Sequence, residues 1–216
     1  AMYARDLCSF AGAEDAITML AARAETLTDA EEQKTRAALY IEAANLANAA
    51  SMPAVALSLA SSAIEIDPTR SDAVVLIERA TQKGVGIDVL DQAYERLANA
   101  ALGSYGKKAA HYRASRQLER RGAEEQALHH AVACFEAFPS VGHAFALLSR
   151  LAERTGQTAE VVRVIQRVAE NSSGDERADW YKRAASVAAL GKDGAPLRFE
   201  MLLNALHISP DRRTVD

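Results

Sequence analysis

Three prolines set the frame into which this chain must fold. Pro68, Pro139 and Pro210 stand 71 residues apart, twice over. Midway between them fall further breaks, at Gly103 and at Ser172-Ser173-Gly174. Gly84, Gly122, Gly156 and Gly191 add an intermediate beat of 38, 34 and 35 residues. A unit of that length is too small to enclose a core of its own. Repeated along a chain of 216 residues, it implies stacked supersecondary units, each burying its apolar face against the next.

The residues between the breaks read as helix. Roughly a fifth of them are Ala, beside many Leu, Glu and Arg, all good helix formers. Only five prolines occur, and no stretch alternates as a strand would. Apolar residues instead recur at three and four, as in Leu39, Ala43, Leu46, Ala47 and Ala50, or Val161, Val164, Ile165, Val168 and Ala169. Asp29-Ala-Glu-Glu32 and Ser173-Gly-Asp-Glu176 have the spacing of capping boxes. Pro53 and Pro196 suit first helical turns, and Gly12, Gly84, Gly122, Gly156 and Gly191 suit helix ends. Helices of about 12 to 18 residues with connections of about two to five make antiparallel neighbours. The expected fold is all-α: about 12 helices in six antiparallel hairpins. Their approximate units are 1–29, 30–69, 70–104, 105–140, 141–174 and 175–210, in one array.

In this register the chain resembles the tetratricopeptide repeats, whose pattern of about 34 residues wants a bulky residue at position 4 and small ones at 8, 20 and 27. Tyr40, Ala44, Ala56 and Ala63 take these places in one unit, and His111, Ser115, Ala127 and Cys134 in another. Phe145, Ser149, Val161 and Val168 match more loosely. In the last unit Trp180, Ala184 and Ala205 hold positions 4, 8 and 27, with two extra residues in Lys192-Asp193-Gly194. The unit at 70–104 fits worst, with Ile77 where a small residue belongs. The resemblance covers nearly the whole chain. It implies a right-handed superhelical α-solenoid whose concave wall is lined by the first helix of each hairpin, at positions 2, 5, 6, 9, 12 and 13.

Those positions are polar and faintly acidic in the first half of the chain, with Asn45 and Glu78 among them, and basic in the second. The basic half offers Tyr112, Arg113, Arg116, Arg120, His143, Arg150, Arg154, Tyr181 and Lys182. Arg116 and Arg150 share position 9, and Arg120 and Arg154 share position 13. Guanidinium forks match carboxylates bidentately, and tyrosine adds contact area at low entropic cost. The expected ligand is an acidic or C-terminal segment of a protein or peptide partner. The competing reading is a self-paired surface, since Glu119 and Glu153 repeat at position 12 beside the arginines. The lysine and asparagine set with which chaperone-binding members of the family clamp a terminal carboxylate is not matched. Position 5 holds Ile41, Tyr112 or Ala146, although Asn45 does stand at position 9.

Composition excludes other classes. A net charge of −4 argues against duplex nucleic acid as the main partner. No apolar run nears the roughly 20 residues of a spanning helix, so membrane insertion is not expected. Two cysteines, Cys8 and Cys134, make no disulfide framework. His130 and Cys134, four apart, have the spacing of a metal pair but lack further ligands nearby in sequence, and packing is the simpler role. His111 and Trp180 read as packing residues, and His207 as the end of the last helix. Gly84-Val-Gly86 lacks the strand and the Lys-Ser/Thr of a phosphate loop. No catalytic constellation and no cofactor site stands out.

The expected function is therefore a non-catalytic cytoplasmic interaction scaffold, from a bacterial source by composition. The alternatives are a sensory or regulatory module that binds a ligand or couples to a fused effector domain, and, less favoured, a fragment of an enzyme. Ala1 before Met2 reads as an added residue, and no N-terminal leader is expected. Leu202, Leu203, Leu206 and Ile208 near the end have no polar capping helix after them. A piece of a longer repeat protein, or end-to-end self-association, would account for that.

Overall fold

The computed structural model describes residues 2–81, 86–140 and 142–210, with side chains described from residue 12 onward. Gly84 and Val85 of the glycine-rich segment, and the Cys8 side chain, lie outside the described residues. Among the described residues there are eleven α-helices, one 3-10 turn and no strand. The helices are α1 (Met2–Glu25), α2 (Gln33–Ala49), α3 (Pro53–Ile66), α4 (Ser71–Ala80), α5 (Ile87–Ala100) and α6 (Gly103–Arg120). They continue with α7 (Glu124–Ala137), α8 (His143–Thr155), α9 (Thr158–Glu170), α10 (Gly174–Ala188) and α11 (Ala195–Ile208). The difference from the expected twelve lies in α1. There Gly12, at φ 74 and ψ 164, leaves the helical region and divides the element into two segments.

The prolines mark the same event three times. Pro68, Pro139 and Pro210 stand two residues beyond the ends of α3, α7 and α11, at Ile66, Ala137 and Ile208. The residues before the first and third adopt nearly one conformation, Asp67 at φ −131, ψ 91 and Ser209 at φ −135, ψ 93. Clash with the proline ring pushes the preceding residue out of the helical region and into this extended form, so each of these helices has to stop.

The capping boxes are corrected. A 3-10 turn over Ala30–Glu32 comes first and α2 opens only at Gln33, with no side-chain cap bond from Asp29. The Glu32 N–H is taken at 3.0 Å by the Asp29 backbone carbonyl. Ser173 does precede α10, again without a side-chain cap bond, because the turn is made by Gly174 at φ 56. Gly156 ends α8 as expected, at φ 73, where any side chain would be strained.

The chain divides into two compact units, residues 1–123 and 124–216, with the division in the turn after α6. In the first, the substantial packing pairs α1 with α2, α2 with α3, and so on to α5 with α6, with α2–α4 and α3–α5 beside them. In the second, α7 to α11 pack in the same sequential way, with α7–α9 and α8–α10 in addition. Within each unit these contacts join helices one or two apart in the chain. A closed bundle would also bring its first and last helices together. Stacked hairpins do not.

Small residues sit where helices meet. Ala44, Ala56, Ala63, Ser115, Ala127, Ala184 and Ala205 are wholly buried, and Cys134 nearly so. Trp180, expected as a wedge, is buried edge-on to Phe135 with ring centroids 5.5 Å apart. One helix departs from the pattern. Phe145 and Ser149 of α8 are only half-buried, and its buried face is Ala144, Leu147, Leu148, Leu151 and Ala152. Three leucines carry more apolar area than Phe145 with Ser149, and hydrophobic burial turns the helix onto them.

Candidate interaction surface

The first-helix residues expected on a concave wall divide into three groups once their surroundings are known. Arg113 belongs to the first. It leaves α6 toward Glu78 of α4, donating from Nε to Oε1 at 2.8 Å and from Nη2 to Oε2 at 2.7 Å. The fully buried Tyr94 of α5 donates its hydroxyl to the same Oε1. Arg121, just past α6, donates from Nη2 to the Glu78 backbone carbonyl at 2.6 Å and from Nη1 to Gln117 Oε1 at 2.9 Å. The hydrogen bond to Glu78 holds the Arg113 pKa above its ordinary value. Burial, followed by the same carboxylate, raises that of Tyr94. Glu78 thus ties α4, α5 and α6 together through a bidentate pair with Arg113, whose side chain remains 42% exposed.

The second group is packed away. Tyr181 is 4% exposed, with the Arg177 guanidinium carbon 5.9 Å from its ring centroid. Ala178, Ala185 and Ala188 on the same helix are also buried, as is Ile41 on α2. These positions were expected to line a groove. Instead α10 packs against α8, α9 and α11, which leaves it little open face. Tyr181 is therefore corrected from contact residue to core residue.

The third group remains at the surface. Arg116 and Tyr112 of α6 are half-buried, with Arg116 Nη1 3.4 Å from the Tyr112 hydroxyl, and Arg120 is exposed. On α8, His143, Arg150 and Arg154 are exposed, and Arg154 pairs with Glu124 of α7. Lys182 stands 4.0 Å from Asp179 on its own helix. Asn45 is exposed on α2, its amide donating to the Ile41 carbonyl at 3.0 Å, an ordinary turn-back bond within the helix. Arg116 and Arg150 share a repeat position, yet the shifted buried face of α8 sets them at different angles to their helices' packed sides.

The Glu78 node is what sequence reasoning missed. Its signal was present, since Glu78 stood at the same repeat position as Arg116 and Arg150 with the opposite charge. What hid its role was Tyr94, which the spacing of apolar residues marks simply as core.

For metals and cofactors the residues offer little within either unit. Cys134 and His130 are both buried, and His130 lies edge-on to His129 with centroids 5.7 Å apart. Taken by itself, neither unit brings three His, Cys or acidic side chains together among its described residues. No described helix is long and apolar enough to cross a membrane.

Each unit is a stack of sequentially packed α-helices. No family model matches the chain, and no curated protein matches it. A solved structure, that of YrrB, described as a TPR protein with an unusual peptide-binding site, is 20% identical over 85% of this chain and 92% of its own, with a TM-score of 0.36. At that score no residue correspondence is drawn. The stacked-helix architecture itself rests on sequential helix packing and on small residues buried where helices meet.

Proposed function

We propose that this protein is a non-catalytic interaction module that takes an acidic segment of a protein partner on the exposed arginines of its first helices. Arg116 and Arg120 on α6 in the first unit, and Arg150 on α8 in the second, are the residues assigned, each within its own unit. Support comes from exposure and charge: Arg120 and Arg150 are exposed and Arg116 is half-exposed. An exposed guanidinium fork can take a carboxylate in a bidentate, charge-assisted pair. Charge at such a rim governs encounter and selectivity more than raw affinity, which suits a reversible scaffold.

The test is affinity capture followed by mass spectrometry, run in parallel with the wild type and an R116E/R150E variant. A partner retained by the wild type and lost by the variant supports the reading, and raised salt should release it. Equal retention by both proteins overturns it.

A further inference from the structure

A second surface on the chain differs in chemistry from the arginine positions. In the unit of residues 124–216, a groove of about 390 Å³ runs between the end of α10 and α11. Its floor is apolar, made by Ala189, Ala195, Phe199 and Leu202, and its rim carries Lys192 and Arg198. Phe199 is 65% exposed, an unusual position for a phenylalanine. No acidic side chain lines this groove among the described residues.

The other grooves of the same unit do not share that character. Beside Trp180 and Val164, Arg167 is paired with Glu136 at 2.6 Å, and Glu176 adds a further negative charge. The groove at Gly194 and Leu197 is lined by both Glu153 and Asp193. Only the α10–α11 groove, of these three, combines an open apolar floor with a rim of one sign.

Packing explains why it stays open. On its inner side α11 buries Met201 and Ala205 against α10. The turn that brings α11 back is tight, since a Cβ on Gly194 would fall 1.7 Å from the Ala188 carbonyl oxygen. That close return sets the start of α11 against the end of α10 and leaves Ala195, Phe199 and Leu202 facing outward in helical succession.

We infer that this groove docks an acidic amphipathic segment of a protein partner, with an apolar side chain seated on Phe199 and Leu202 and carboxylates meeting Lys192 and Arg198. Charge decides between occupants. A second copy of this chain would pair by a twofold axis, which places the same patch on both sides and sets Lys192 and Arg198 against their own equivalents. Like charges facing each other disfavour that pairing. An acidic segment satisfies both floor and rim, as an amphipathic helix does in a hydrophobic groove. This site shares no residue with the arginine positions of α6 or of α8, so the two readings stand or fall separately.

The probe is a fluorescein-labelled peptide with Leu and Phe at i, i+3, i+4 and i+7 and Glu or Asp elsewhere, titrated with the full chain and followed by anisotropy. Saturable binding is expected, weakened about tenfold or more by F199D and by K192E/R198E, and unchanged by R167A, an exposed position outside both surfaces. A control peptide with Lys replacing the acids should not bind. Phe199, Lys192 and Arg198 are exposed, and circular dichroism with thermal melts checks that the variants fold; F199A serves as a milder variant. Absence of saturable binding, equal binding by the groove variants, or equal binding of the lysine peptide overturns the inference. So does light scattering that shows a dimer dissolved by F199D, because the occupant is then a second copy.

Discussion

The two units solve the same packing problem with different chemistry. In residues 1–123 the largest wholly buried side chain is Tyr94, and its hydroxyl draws Glu78 and then Arg113 into a charged node among α4, α5 and α6. In residues 124–216 the corresponding bulk is Phe135, which meets Trp180 and Phe145 at ring-centroid distances of 5.5 and 6.2 Å. An apolar ring makes no demand on neighbouring charges. A buried phenol does, because an unpaired hydroxyl in the core costs free energy and its nearest acceptor then needs a cation. The Tyr94 oxygen is thus tied to the ion pair of Glu78 with Arg113.

The contrast can be broken most sharply at Phe135. F135A should cost about 3–5 kcal/mol, since it empties a fully enclosed aromatic site. Urea denaturation measures this, and a loss below about 1 kcal/mol would mean that the aromatic cluster is not what holds the unit. Next in size is E78A, expected at about 2 kcal/mol because it strands the Tyr94 hydroxyl and leaves Arg113 to re-solvate. E78Q, which keeps the shape and removes the charge, should cost less. Y94F sharpens the comparison further: it makes the first unit resemble the second at one atom, at an expected cost of about 1 kcal/mol. If Y94F instead left stability unchanged while E78A destabilised, the Arg113–Glu78 pair alone would be the tie.

The smallest effects lie in exposed pairs. Arg70 grips Asp72 in the first turn of α4 through two bonds, at 3.0 and 2.7 Å, and this contact lowers the Asp72 pKa. A carboxylate with a depressed folded pKa contributes stability in full above its unfolded value, about 3.9, and loses it as pH falls through the lower folded value. D72N should therefore be less stable than the wild type by under about 1 kcal/mol at neutral pH. Thermal melts should show that gap closing in acid below pH 4. R167A, which removes the exposed partner of Glu136, should change stability by no more than about 0.5 kcal/mol.

Much of the helical layout was legible in the sequence, for reasons visible at particular residues. Pro68 and Pro210 force the same extended conformation on the residue before them wherever they occur, so their spacing reported helix ends directly. Ala44, Ala56 and Ala63 announced close helix contacts because nothing larger fits there. The interaction surface was less legible. Repeat position placed Tyr181 and Ile41 on an open wall, but both are buried, since position within a repeat does not say how many neighbours pack on a helix. Repeat position also treated Arg116 and Arg150 as equivalents, whereas the leucines of α8 had turned that helix onto another face.

The sequence by itself determined the helices, their ends and the small residues at their contacts, because each of these follows from local backbone sterics and from spacing along a single helix. Which cation meets which carboxylate, by contrast, depends on three-dimensional packing. Arg113 lies 35 positions along the chain from Glu78, and the bonds between them exist because α4, α5 and α6 pack side by side. Arg198 and Lys192 flank an uncovered Phe199 because the α10–α11 turn closes so tightly. Charge pairing depends on distance through space, which falls steeply within a few ångströms and which no periodicity along the chain records.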